Sequence, residues 1–177
     1  TKMPPDPFMR KQLYSLLKPA DMCRRQVNII GNNLALRKSS ELYTILEKKE
    51  FSIKDICTCH DFREYETMAS SRLNLVTNPL GRPAAKELCG RLGQEWVYLP
   101  VSYDWEQIRE HWKCLSDLLE LDFDSIWKEG EMDQLWQKAE TAMETLAGEL
   151  AGWSVAIDYT ASSRPFGMAK LLVKCGF

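Results

Sequence analysis

The stretch Gln26-Val27-Asn28-Ile29-Ile30-Gly31 decides the fold class of this chain. Its apolar run is typical of a buried strand, and a glycine at the end is typical of the turn that follows such a strand. Leu42, Ile45 and Leu46 then recur at helical spacing, which predicts a helix after the strand. A strand followed directly by a helix is the repeating unit of a parallel sheet.

The same unit recurs along the chain. Further strands are predicted from Phe51 to Cys57, from Leu73 to Val76 and from Glu95 to Pro100, each before a helical pattern. A last unit joins Trp153–Asp158 to a helix over Pro165–Cys175. The expected strands lie at about 27–31, 52–57, 73–77, 96–100 and 154–158. Serial units of this kind predict an α/β fold, a parallel-sheet, Rossmann-like three-layer domain with helices on both faces.

The domain organisation follows from where the units begin and end. The predicted segments are a leading helix at 1–25, a parallel α/β domain at 26–121, linking helices at 122–152, and a final β–α unit at 153–177. An interpretation in which the final unit starts a further domain stays open. The apolar face predicted for the leading helix consists of Met9, Leu13, Leu16 and Leu17.

Composition restricts the function. With 45% hydrophobic residues, 10% aromatic residues and a net charge of −2, the 177-residue chain predicts a packed globule without a basic surface. Nucleic acid and membrane partners are therefore disfavoured. The six scattered cysteines form no disulfide framework, which favours a reducing, cytoplasmic location. Because Thr1 is not a methionine, we expect the chain to be part of something larger.

The loops after the strands hold the candidate ligand-binding residues. In an open parallel sheet these loops gather at one edge, where ligands bind. Amides, hydroxyls and guanidinium groups near helix N-termini can hold a carboxylate or phosphate. The candidate cofactor-binding residues are Asn32, Asn78, Arg82, Ser162 and Arg164. In an alternative that stays open, Ser163 caps the last helix and Arg164 is solvated. Neither glycine-rich nucleotide motif is present, which disfavours a standard nucleotide enzyme.

The segment Cys57-Thr58-Cys59-His60 is the candidate metal site. Two thiolates and an imidazole can hold zinc or part of an iron–sulfur cluster. They supply only three ligands, however, and alternation along a strand would send both thiols to one face. There a cysteine behaves as a small hydrophobic residue, so core packing of Cys57 and Cys59 is the competing interpretation.

Two parts of the chain resemble a known family. The pattern Val27-Asn28-Ile29-Ile30-Gly31, a helix, a second strand, then Ser71–Val76 and Ala84–Leu88 is similar to the middle domain of nitrogenase component 1 proteins. The segments Ala151–Ile157 and Met168–Phe177 are similar to the region where such proteins enter their third domain.

The resemblance implies a fragment of an iron–sulfur or related metal-cluster oxidoreductase. In that family the clusters lie between domains, a related subunit completes the assembly, and an ATP-dependent iron–sulfur reductase supplies electrons. The cofactor-holding cysteine of the catalytic nitrogenase subunit follows the strand that matches Leu73–Val76, where this chain has Thr77-Asn78-Pro79. The departure puts dinitrogen reduction in doubt. No catalytic residue is assigned, and we expect the isolated chain to be inactive and free of cofactor.

An alternative from another class stays open. The chain could belong to a non-catalytic module that holds a metal complex or a tetrapyrrole-like ligand, or that assists cofactor assembly. Cluster-type cysteines in a preceding segment would favour the oxidoreductase, and their absence would favour the binding module.

Overall fold

A computed structural model describes residues 4–177. The chain forms two compact units, one that extends to Pro100 and one over Val101–Phe177. The helices and strands of the first unit are α1 (Pro5–Leu13), β1 (Cys23–Ile30), α2 (Glu41–Lys48), β2 (Ser52–Asp55), α3 (Phe62–Glu66), β3 (Ser71–Val76), α4 (Arg82–Leu92) and β4 (Glu95–Tyr98). Those of the second unit are α5 (Trp105–Leu119), α6 (Phe123–Glu129), α7 (Met132–Glu149) and α8 (Pro165–Lys174).

The first unit is built on a parallel sheet with the strand order β2-β1-β3-β4. In β1, Val27 and Ile29 alternate with Asn28 and Ile30, and all four side chains are fully buried. Because alternate residues point to opposite faces, both faces of the sheet are covered. The predicted α/β fold is therefore confirmed, with four of the five expected strands in place.

The fifth predicted strand is wrong. Residues 153–158 adopt no regular secondary structure, and Trp153 and Val155 are 72% and 50% exposed. A strand forms only where a neighbouring strand satisfies its backbone, and the alternating pattern says nothing about that neighbour. The helix that follows, α8, is present.

The predicted buried face of α1 is also wrong for three of its four residues. Met9, Leu13 and Leu16 are 59%, 47% and 63% exposed, and only Leu17 is buried. The buried positions are Pro7, Arg10, Tyr14 and Leu17. Tyr14 and Leu17 belong to the main core cluster together with Ile30, Val76 and Leu88 from β1, β3 and α4.

The strand β2 ends earlier than predicted. The chain turns into a short 3-10 helix over Ile56–Thr58, and the side chain of Asp55 accepts a hydrogen bond from Cys57 N at its start. Asp55 therefore acts as an N-cap that stops the strand. This early end changes the environment of Cys57 and Cys59. Over residues 4–177, no helix is both long and apolar enough to cross a membrane.

Candidate functional site

The strand order places a topological switch point between β1 and β3. The chain leaves β1 toward β2 on one side and leaves β3 toward β4 on the other, so the loops after β1 and β3 diverge from neighbouring strand ends. A divergence of this kind is where open parallel sheets bind ligands. The site residues predicted in the first unit lie in this region or next to it.

Two glycines bring these loops into contact. A Cβ atom added to Gly31 would lie 2.4 Å from Gly81 Cα, and Gly31 has a φ of +90°. Only glycine tolerates both the left-handed backbone and the close approach. The loop after β1 therefore packs directly against the turn that precedes α4.

Asn32 joins the same two loops through its side chain. Its Oδ1 accepts a hydrogen bond from Thr77 Oγ1 at 2.8 Å. Its Nδ2 is buried and has no hydrogen-bond partner within residues 4–177. An unsatisfied buried donor is destabilising, by about 1–3 kcal/mol, unless another group supplies the acceptor.

Arg10 of α1 holds the loop after β1 from the other side. Its guanidinium donates to Gly31 O at 2.8 Å and to Asn32 O at 3.3 Å, and also to Asn33 Oδ1. Asp6 pairs with Arg10 at 2.7 Å and compensates its charge. Sequence reasoning missed Arg10, although Asp6 and Arg10 are four residues apart, the spacing of a helical ion pair.

Asp55 places a carboxylate at the end of β2. The residue is 1% exposed, Oδ1 accepts from Cys57 N at 2.9 Å, and Oδ2 has no partner among the residues described. Its backbone O accepts hydrogen bonds from Thr58 Oγ1 and from Cys59 Sγ. The end of β2 therefore presents a buried carboxylate oxygen that is free to accept a further hydrogen bond.

The candidate ligands Cys57, Cys59 and His60 do not converge. Cys57 is exposed, Cys59 is half-buried against the core, and His60 is exposed, with its backbone N–H donating to Glu64 Oε2 at 2.8 Å. Within residues 4–177, no three or more His, Cys, Asp or Glu side chains are grouped so as to hold a metal ion. As arranged, the motif does not fit a complete metal site.

The pKa values of the Cys57 and Cys59 thiols are both raised. Partial burial raises the pKa of Cys57, and the nearby Asp55 carboxylate raises it further, while Arg10 opposes the rise. Partial burial also raises the pKa of Cys59, with Glu64 adding to the effect. Because the thiolate is the nucleophile, a raised pKa lowers the reactivity of both thiols at neutral pH when no metal is bound.

Asn78 has a structural role, whereas Arg82 lines an open pocket. Asn78 Oδ1 accepts a hydrogen bond from Leu80 N at 3.0 Å and so caps the turn before α4. The Arg82 guanidinium lies 5.1 Å from the centre of the Tyr98 ring, a cation–π distance, and lines a pocket of about 660 Å³.

Ser162 and Arg164 belong to the second unit. Ser162 is buried, its Oγ lies 2.8 Å from the Tyr103 hydroxyl, and it accepts from Arg164 N at 2.9 Å. Arg164 donates to Val101 O and to Gln107 Oε1 at 2.8 and 3.1 Å. Ser162, rather than Ser163, therefore bonds the backbone at the start of α8.

The parallel sheet with its switch point between β1 and β3 places the first unit in the class of open α/β sheets. The family model for nitrogenase component 1 type oxidoreductases matches residues 8–177, and the chain belongs to this family. The expectation drawn from the resemblance is thereby confirmed at the family level. No curated protein sequence gives a significant match.

Proposed function

We propose that the chain is part of a cluster-containing oxidoreductase and forms one wall of an interdomain site for a metal cluster or its substrate. The observation that carries the proposal is that Asn32 Nδ2 and Asp55 Oδ2, at the ends of β1 and β2, are buried and unpartnered within residues 4–177. A third atom of this kind, Ser40 Oγ, lies just before α2. A donor and an acceptor buried in this way are costly in the chain alone and are satisfied when a ligand or a neighbouring domain meets the edge.

The chain contributes positioning groups to this site, and cluster ligands beyond Cys57, Cys59 and His60 come from elsewhere. Thr77-Asn78-Pro79 stands where the family's catalytic subunit has its cysteine, and the Asn78 side chain is committed to the turn. Cys57, Cys59 and His60 supply at most three ligands, one fewer than a tetrahedral metal needs. If Cys57, Cys59 and His60 bind a metal in the assembly, further ligands must complete the site.

The assembly proposed for the chain follows the family. A related subunit would complete the site, an ATP-dependent iron–sulfur reductase would supply electrons, and the assembly would work in the cytoplasm. The isolated chain would have no turnover. Asn32 and Arg82 of the first unit stay candidate ligand-binding residues. Ser162 and Arg164 stay candidates within the second unit.

The test is anaerobic purification of the full-length protein with iron and sulfide analysis. We expect iron and sulfide in the wild type and a reduced content in Asn32→Ala and Asp55→Asn, with the circular dichroism spectrum unchanged. Asp124→Asn, an exposed aspartate of α6, is the matched control and should keep the wild-type content. Unchanged iron in both edge variants would contradict the proposed wall.

A non-catalytic cofactor-holding or assembly module is the second candidate. It is favoured by the absence of the family's cofactor cysteine at Thr77-Asn78-Pro79. A full-length protein that retains a metal complex or a tetrapyrrole-like ligand, yet reduces no substrate with its reductase present, would support this candidate over the first.

A further inference from the structure

A basic pocket lies beside the start of α4 in the first unit, and its positive charge is not balanced. The pocket has a volume of about 660 Å³. It is lined by Lys11, Pro79, Arg82, Pro83, Lys86 and Glu87. Two prolines restrict the backbone of the wall, because each fixes its own φ angle.

The three cations of this pocket have no carboxylate partner in the part of the chain that the structure describes. Glu87 is the acidic residue of the lining, and its carboxylate is held by Arg91 through two contacts of 2.5 and 3.4 Å. The pocket therefore carries an excess of positive charge. Like charges close together on a surface repel one another, and a bound anion removes that repulsion.

The fold holds the cations on one side of the pocket. Arg82 and Lys86 are four residues apart in α4, so their side chains lie on the same face of the helix. Lys11 comes from α1, which packs against α4. The positive end of the α4 dipole adds to their field, since Arg82 is the first residue of this 11-residue helix.

From this arrangement we infer that the pocket binds the phosphate groups of a small phosphorylated ligand. A forked guanidinium and two ammonium groups match the several oxygens and the multiple negative charge of a pyrophosphate or phosphate ester. The pocket is larger than one phosphate group, and Pro79 and Pro83 offer apolar surface to the rest of the ligand. The Tyr98 ring lies against the Arg82 guanidinium and helps to hold it in place. The pocket is not the phosphate loop of a nucleotide-hydrolysing enzyme, because the glycine-rich motif of that loop is absent from the sequence.

This inference goes beyond the proposed function and shares only the residue Arg82 with it. Phosphate binding needs no metal cluster, and so the two can fail separately. A cluster-containing protein that ignores pyrophosphate would contradict only the pocket, and a protein without iron that binds pyrophosphate would contradict only the cluster wall.

The experiment is a calorimetric titration of the 177-residue chain with pyrophosphate at low ionic strength. We expect saturable binding that weakens as salt is added, since the contacts are ionic. Arg82→Ala and Lys86→Ala should each lower the affinity by about fivefold to tenfold, because each removes one charge-assisted contact. Lys48→Ala, an exposed lysine of α2, is the matched control and should bind like the wild type.

Three outcomes of these titrations would overturn the inference, and a charge reversal at Lys86 adds a fourth. They are no saturable binding of pyrophosphate, equal weakening by Lys48→Ala, and citrate binding as tight as that of pyrophosphate, which would assign the pocket to carboxylates. Lys86 is exposed, so Lys86→Glu should keep the wild-type circular dichroism spectrum while abolishing binding. Retained binding in Lys86→Glu would likewise contradict the assignment.

Discussion

Buried polar side chains behave differently at the centre of the sheet and at its carboxyl edge. At the centre, Asn28 Nδ2 donates to Met68 O at 2.9 Å and to Asn74 Oδ1 at 2.8 Å, and its Oδ1 accepts from Ser71 Oγ at 2.6 Å. Asn74 in turn donates to Gln94 Oε1. At the edge, Asn32 Nδ2 and Asp55 Oδ2 are equally hidden and find no partner within residues 4–177.

The difference separates polar groups that are paired within the sheet from polar groups that residues 4–177 leave unpaired. A satisfied amide network fixes which strand lies beside which, because a shifted register would leave its members unpaired. The two edge atoms make no hydrogen bond within residues 4–177 and so do not help to fix the strand register. Unsatisfied buried groups are rare in folded proteins, and they concentrate at sites that meet a ligand or a partner.

The largest expected effect is at the centre of the sheet. Asn28→Ala should lower the free energy of unfolding by about 3–4 kcal/mol, because it leaves buried partners unpaired and opens a cavity. Urea unfolding monitored by circular dichroism measures the change. The exposed residue Gln12 is the control, and Gln12→Ala should stay within about 0.5 kcal/mol. A loss below about 1 kcal/mol for Asn28→Ala would remove the contrast between the two regions.

The second-largest effect is expected where the loops after β1 and β3 contact each other. Gly31→Ala should lower the free energy of unfolding by about 2–3 kcal/mol more than Gly93→Ala. Both glycines have positive φ angles, +90° and +70°, so backbone strain is common to the two variants. Only Gly31 faces another backbone, whereas the space around Gly93 is open. Equal losses in matched urea unfolding curves would show that the loops separate easily.

A third effect concerns alkaline pH at the same edge. Burial raises the pKa of Tyr14 above the ordinary tyrosine value, and Asp55 and Cys57 add to the rise. The folded state therefore holds the phenol proton more tightly than the unfolded state. The contribution of the Tyr14 phenol to the free energy of unfolding is complete below the pKa of the unfolded chain. It falls by up to about 1.4 kcal/mol per pH unit above about pH 10.

Tyr14→Phe isolates that contribution from the other groups that titrate in the same range. We expect a flatter decline of the free energy of unfolding above about pH 10 in this variant. Tyr159→Phe is the control, because Tyr159 is 81% exposed, and it should decline like the wild type. Parallel curves for Tyr14→Phe and the wild type would show that the phenol does not titrate with unfolding.

The sequence predicted the fold where the signal was local. The apolar runs around Val27, Leu73 and Val97 became three strands of the sheet, and the β–α order made them parallel. The segment at 153–158 shows the same alternation without becoming a strand. Strand formation depends on a hydrogen-bonding neighbour that no short pattern encodes.

The orientation of α1 could not be predicted for a related reason. Hydrophobicity selected Met9 and Leu13 for the buried face, whereas the structure buries Arg10 and Tyr14. Arg10 is buried because loop carbonyls at Gly31 and Asn32 accept its hydrogen bonds, a contact across more than 20 residues. Topology did predict that the loops after the strands would gather at one edge, and Asn32 meets Thr77 of the loop after β3 there.

The smallest effect is kinetic and concerns Cys57 and Cys59. Cys57 is exposed, and its sulfur lies 3.9 Å from Asn32 O, whereas Cys59 is half-buried. Because the pKa of each thiol is raised, chiefly by partial burial, both should react with iodoacetamide at pH 7 more slowly than in the urea-unfolded chain. The rates should rise as the pH passes the ordinary thiol value of about 8.5.

Asp55→Asn removes the negative charge beside Cys57, so it should speed labelling there and change Cys59 less. Mass spectrometry of the labelled peptides resolves the two positions. Labelling of folded Cys57 faster than in urea would instead indicate a lowered pKa and a thiolate ready for metal, which would make the carboxyl edge a ligand site in the chain's own right.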